Sequence, residues 1–229
     1  MIMGMHMDKK YLQISKALKK ERGRLIAAFD DYPVIEFMRR HSLILDTYFQ
    51  QSFEESLVGP RLGLNKNPYA IVALGGYGRE EQCVHSDVDI LFLFKKHIPD
   101  EAVSLIQEIV YPLWDIGLEV GYATRTLKEC IDLARKDYEV LTPILDARFI
   151  CGMSILFSEL MTAAREKILN KRSKKIVDWL VKTNTDRHQY FGDSTYLLEP
   201  NLKEGQGGLR DYHTMLWIGR IKLGVRQTR

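Results

Sequence analysis

The hydrophobic period of this chain changes twice, and the stretch between the two changes limits the fold more than any other feature. Residues Leu12 to Phe29 fit a first helix, closed by the turn residues Asp31-Tyr32-Pro33. Val34, Phe37, Met38, Leu45, Tyr48, Phe49 and Phe53 then recur every three or four positions, the spacing of a helix that buries one face. Tyr69–Leu74 and Val88–Phe94 are different: both are short apolar runs, the first bounded by Asn67-Pro68 and Gly75-Gly76. Such runs read as buried strands. Glu101–Leu113 returns to helical spacing, and Leu118–Thr126 alternates well enough for a third strand. From Leu127 onward the pattern is helical almost to the end, broken near Pro143, Gly152, Gly192 and the loop Lys203–Gly208. An α/β (α+β) protein is therefore expected, with an N-terminal helical arm over residues 1–59, a core with a small mixed sheet over 60–150, and a helical module over 151–229.

At 229 residues, 45% of them hydrophobic, such a chain can bury a core without disulfides or a structural metal. Its apolar runs fall far short of the ~20 residues that cross a bilayer. Met1–Lys10 has no apolar stretch of the secretory kind, so a cytoplasmic location and no membrane partner are expected. Cys83, Cys130 and Cys151 are too widely spaced for a zinc site and read as reduced thiols. Charge is uneven: Lys9–Arg24 holds seven basic residues against Glu21 alone, and Met161–Tyr190 holds eight against three acidic ones. These stretches read as solvated helix faces, and the acidic groups concentrate between them.

Asp87 and Asp89 stand two apart at the start of the second strand, and alternate strand residues point to one side. Two carboxylates projecting together call for a cation, and oxygen ligands without His or Cys favour Mg²⁺ or Mn²⁺ over zinc. The first strand runs into Gly75-Gly76-Tyr77-Gly78-Arg79. Glycine lets backbone N–H groups approach phosphate oxygens where a Cβ would intrude, although a tight turn alone would use glycine as well. The spacing matches neither a dinucleotide-binding fingerprint nor a P-loop. Arg79 either grips a triphosphate through its planar fork or pairs with Glu80 or Glu81.

A strand, Gly75-Gly76, a short gap and Ser86-Asp87-Val88-Asp89 leading into a second strand resemble the nucleotidyltransferase superfamily of DNA polymerase β. Leu118-Glu119-Val120-Gly121-Tyr122 with Arg125-Thr126 extends the likeness to the N-terminal part of the bacterial PII uridylyltransferase/uridylyl-removing enzymes. Asp146-Ala147-Arg148, Glu199-Pro200-Asn201-Leu202-Lys203 and Gly207-Gly208-Leu209-Arg210-Asp211 look like the helical module of that family. The likeness spans about Tyr69–Gly224.

It implies a small mixed sheet of the polymerase β type and transfer of UMP from UTP to a tyrosine of a PII-like protein acceptor, with release of pyrophosphate. By this resemblance Asp87 and Asp89 hold Mg²⁺ (or Mn²⁺). Glu119 would be the third carboxylate that the superfamily supplies from a later strand, with Asp115 and Asp146 as rivals. Gly75, Gly76 and Arg79 would meet the triphosphate, and Ser86 would steady the loop or a phosphate. Lys203 and Arg210 would touch nucleotide or acceptor, unless they belong to a capping loop in which Asp211 pairs with Arg210 or caps the next helix.

Some features depart from that pattern. Glu80-Glu81-Gln82 stands where the family has Gly-Glu-Leu, which changes the charge beside the phosphate loop. Family members also continue into a metal-dependent hydrolase domain and ACT sensory domains, and no His-Asp dipeptide occurs in this sequence. Uridylyl removal and glutamine sensing are therefore not expected of this polypeptide. Protein adenylylation and a non-catalytic nucleotide sensor are the alternatives. A nucleic-acid substrate ranks last, because the helical module resembles the protein-modifying branch.

Overall fold

The computed structural model describes residues 9–59, 67–191 and 201–223. Two helices, α1 (Lys9–Ala27) and α2 (Val34–Glu54), lead into a four-stranded sheet. Its strands are β1 (Tyr69–Ala73), β2 (Val88–Phe94), β3 (Val120–Thr126) and β4 (Arg148–Gly152), in the order β3-β2-β1-β4. β1 runs antiparallel to both neighbours, whereas β2 and β3 are parallel. A parallel pair needs a crossover, and the apolar helix α4 (Ala102–Asp115) supplies it.

All five residues of β1 are buried, and β2 is buried throughout except at Asp89. The first two strands and the α4 crossover thus lie within a residue or two of where the hydrophobic period puts them. β4 was not expected, because the sequence pattern reads as helix from Leu127 onward. Its five residues begin with a half-buried arginine and end on glycine. That is too short and too mixed to declare a period.

The chain divides into two compact units, Met1–Asp132 with Asp146–Met161, and Leu133–Leu145 with Thr162–Arg229. In the first, Leu45 and Phe49 of α2 join Ile71, Ile90, Phe92, Leu105 and Ile109 in one buried cluster, and the Tyr48 hydroxyl donates to the Ile109 carbonyl at 2.8 Å. α1 and α2 are therefore part of the packing around the sheet.

The remaining helices are α3 (Gly75–Gly78), α5 (Leu127–Lys136), α6 (Tyr138–Leu145), α7 (Ser154–Ala164), a π-helical turn at Arg165–Leu169, α8 (Asn170–Phe191) and α9 (Leu209–Leu223). In the second unit Ile168, Ile176 and Leu180 are buried with Trp217, and the Tyr138 ring meets the Trp179 ring edge-on at 5.6 Å. Among the described residues no helix is long and apolar enough to cross a membrane.

Candidate active site

The site is built where β1 turns away from β2. Leu74 is extended, and its N–H donates to the Asp89 carbonyl at 2.9 Å, which ties the end of β1 to the start of β2. Gly75 then takes a φ of +52°, and the single turn α3 follows. A left-handed residue at this point is far less costly as glycine. Gly78 N–H donates back to the Leu74 carbonyl and Arg79 N–H to that of Gly75, at 2.9 and 3.1 Å.

Asp89 lies against this turn. One of its carboxylate oxygens is 3.6 Å from where a Cβ on Gly75 would sit, and the other is 2.7 Å from where a Cβ on Gly121 would sit. Gly121 is the cross-strand partner of Asp89 on β3. Two glycines from different elements thus clear the space around one carboxylate.

Asp87 and Ser86 are exposed just ahead of β2, and Asp89 is the exposed residue within it. Glu119 is exposed one residue ahead of β3. Its carbonyl accepts the Val88 N–H at 2.8 Å, one residue ahead of the Val88–Val120 pair that opens the parallel ladder. Among the described residues no group of three or more His, Cys, Asp or Glu side chains converges closely enough to hold a metal ion. Asp87, Asp89 and Glu119 are all exposed at the start of the β2–β3 pair and do not form a preassembled cage.

The two rivals to Glu119 lie elsewhere. Asp115 is exposed at the end of α4. Asp146 is 1% exposed and bonded to Arg79, whose Nη1 reaches its carboxylate at 2.5 Å while Nε reaches Glu81 at 2.6 Å. Burial works to lower the Arg79 pKa, but Asp146 and Glu81 outweigh it and hold the guanidinium more firmly charged than usual. Of the two roles open to Arg79 in the sequence, the structure shows the ion pair with Glu81, joined by one with Asp146.

Sequence reasoning missed the support beneath the turn. The buried Tyr77 hydroxyl donates to Asp46 at 2.7 Å, and Arg148 donates to both oxygens of that carboxylate at 2.6 and 3.0 Å. Burial, with Asp46 alongside, pushes the Tyr77 hydroxyl pKa well above its ordinary value. Nothing local could have signalled this, because Asp46 and Arg148 are 102 positions apart. Gln82 is also buried, and its amide donates to the Ser86 and Asp87 carbonyls at 2.8 and 3.2 Å.

Lys203 and Arg210 belong to the second unit. Lys203 is exposed. Arg210 lies 3.3 Å from Glu204 and over the Trp217 ring. Asp211 does not pair with Arg210 as the capping-loop alternative allowed. It takes Arg187 and His188 instead, and its carboxylate also accepts the Gly207 N–H at 2.7 Å at the start of α9. Burial works to raise its pKa, but these donors outweigh it and hold the carboxyl at about 2. Glu199, Pro200 and the break near Gly192 lie outside the described residues.

Comparison with known proteins bears on both units. Residues 26–126 match the DUF294 nucleotidyltransferase family, and residues 176–229 match the GlnD PII-uridylyltransferase family. The bifunctional uridylyltransferase/uridylyl-removing enzyme of Rhodospirillum rubrum is 42% identical over 163 residues, which is 69% of this chain and 17% of that protein. Its counterpart from Novosphingobium aromaticivorans is 41% identical over 157 residues, again 69% and 17%. That of Nitrobacter hamburgensis is 40% identical over 160 residues, 70% and 17%. The chain thus corresponds to about a sixth of the length of these relatives.

Proposed function

Because this chain is a relative of the nucleotidyltransferase region of the bifunctional uridylyltransferase/uridylyl-removing enzymes, we propose that it transfers UMP from UTP to a hydroxyl of a PII-like protein acceptor and releases pyrophosphate. The observation that carries this reading is the seating of Asp89 between Gly75 and Gly121. A carboxylate stands at the edge of a glycine turn, where side chains on its two glycine neighbours would crowd it.

The donors fit a hard divalent cation. Asp87, Asp89 and Glu119 offer oxygen ligands without His or Cys, the donor set such a cation takes. These three would hold Mg²⁺ or Mn²⁺, which when bound neutralises phosphate charge and polarises the reacting oxygens. Gly75 and Gly76 let the backbone approach the triphosphate, and Ser86 steadies the turn ahead of Asp87. Arg79, paired with Asp146 and Glu81, fixes the exit of the turn. Positioning supplies most of the rate in such a site, since the acceptor oxygen has only to lie in line with the bond to the departing pyrophosphate. Lys203 is an exposed cation of the second unit. The cytoplasm, where both substrates reside, is the proposed location.

The sensor alternative drew on the negative charge of Glu80 and Glu81. Glu81 is bonded to Arg79 and Glu80 lies 3.7 Å from Arg148, so that charge is largely compensated within the protein. The test is incubation with a PII-type acceptor, Mg²⁺ and labelled UTP or ATP. Label from UTP on the acceptor, with stoichiometric pyrophosphate, is expected. Label from ATP alone would establish adenylylation, and bound nucleotide without pyrophosphate release would establish the sensor.

A further inference from the structure

An exposed pair of like charges needs a backbone that holds it in place, and the segment ahead of Asp87 shows how this is done. Between α3 and β2 the chain has no regular structure, yet the carbonyls of Gln82, Val84, Ser86 and Asp87 each meet a side chain. His41 of α2 meets the Gln82 carbonyl at 3.0 Å through Nδ1. Arg22 of α1 donates to the Val84 carbonyl at 2.5 Å. The Gln82 side chain donates onward to the carbonyls of Ser86 and Asp87. His41 and Gln82 are each only 1% exposed.

The tautomer of His41 follows from its partners. Arg22 Nε donates to His41 Nε2 at 3.1 Å, and a guanidinium has no acceptor to offer. Nε2 is therefore the bare nitrogen, the proton sits on Nδ1, and the ring donates to Gln82. Arg22 orients His41, His41 holds the backbone of Gln82, and the amide of Gln82 holds the turn at Ser86-Asp87. Gln82 is also where the sequence departs from Gly-Glu-Leu, so an amide does here what an apolar side chain could not.

We propose that Arg22, His41 and Gln82 are positioning residues that preset the Ser86-Asp87 turn for a divalent cation bound by Asp87 and Asp89. The proposal rests on the metal-dependent reading above. Groups that orient metal ligands from behind change affinity by roughly 10–100-fold when removed. The fold itself depends little on the Gln82 amide, because its Oε1 is buried without a partner among the described residues. Replacing the whole amide removes that unsatisfied acceptor along with the two donated bonds.

The experiment titrates Mn²⁺ into the full chain and follows free Mn²⁺ by electron paramagnetic resonance, with the fold checked by circular dichroism. Gln82→Met and His41→Leu are expected to weaken binding about 10-fold or more, with faster amide exchange over Val84–Asp87 in the metal-free protein. His41→Asn keeps a donor where Nδ1 stood and is expected to bind nearly as the parent does. Folded Gln82→Met and His41→Leu that bind Mn²⁺ like the parent would overturn the proposal. If Gln82→Met does not fold, the contrast between His41→Leu and His41→Asn decides. Failure of the parent itself to bind Mn²⁺, or binding undiminished in an Asp87→Asn/Asp89→Asn double variant, would refute the metal-dependent reading and this proposal with it.

Discussion

Two glycine-rich segments of this chain look alike in the sequence, and the groups packed against their glycines differ in part. In the sheet unit, Gly75 and Gly121 clear space around the Asp89 carboxylate. In the helical unit, Gly205 and Gly208 clear space that the loop fills with its own backbone. A Cβ at Gly205 would sit 2.7 Å from the Asn201 carbonyl, and one at Gly208 would sit 2.8 Å from the carbonyls of Leu202 and Gly205. The nearby acids differ in the same sense. Asp89 lies against two glycines, and Asp211 is held by Arg187, His188 and the Gly207 N–H. The volume left by Gly121 holds a carboxylate, and that left by Gly205 and Gly208 holds backbone carbonyls.

The sharpest way to break this contrast is to remove the acids. Asp89→Asn or Asp87→Asn should reduce UMP transfer by about 10²–10³-fold with the melting temperature nearly unchanged, measured as pyrophosphate release beside a thermal scan. Retained activity in both would end the enzymatic reading.

Next come the glycines. Gly121→Ala should displace the Asp89 carboxylate and lower transfer by roughly 10–100-fold, with little loss of stability. Gly208→Ala should do the reverse, costing about 1–3 kcal/mol as an overpacked site does and leaving Mn²⁺ affinity unaltered. Chemical denaturation and metal titration on the same two variants check both halves. A reversed outcome would mean that the roles of the two segments have been exchanged.

A smaller effect is expected from acid. The folded pKa of Asp211 lies at about 2, below its ordinary 3.8, so its contribution is complete above 3.8 and is lost as the pH falls toward 2. Because the carboxylate is partly solvated, that contribution is about 1 kcal/mol once screening is allowed for. Denaturation of Asp211→Asn at pH 7 and pH 3 should show the gap from the parent closing in acid. His41 gives the mildest signal. Burial, the largest cause, lowers its pKa from 6.5, so the unfolded chain takes up the proton first and stability declines as the pH drops below 6.5. His41→Asn should flatten that decline.

The sheet was largely legible because buried strands announce themselves: Tyr69–Ala73 and Val88–Phe94 are continuous apolar runs between turn residues. The closeness of Asp89 to Gly75 was legible for a related reason, since a strand end and a glycine turn are local patterns. What the sequence hid is tertiary. Arg79 finds Asp146 across 67 positions, which turns a candidate metal ligand into the partner of a buried cation. Arg148 finds Asp46, and the strand that carries it, β4, is too short to show a period. Gln82 read as a departure from a pattern, and only the fold reveals that its amide reaches Ser86 and Asp87.

The central claim is that the side chains of Asp87 and Asp89 and the backbone at Gly75 together receive a cation-bridged triphosphate. Calorimetric titration of UTP into the full chain, with and without Mg²⁺, addresses it most directly. Binding is expected to require Mg²⁺ and to be lost in Asp89→Asn. Equal UTP affinity with and without Mg²⁺, unchanged in Asp89→Asn, would contradict it.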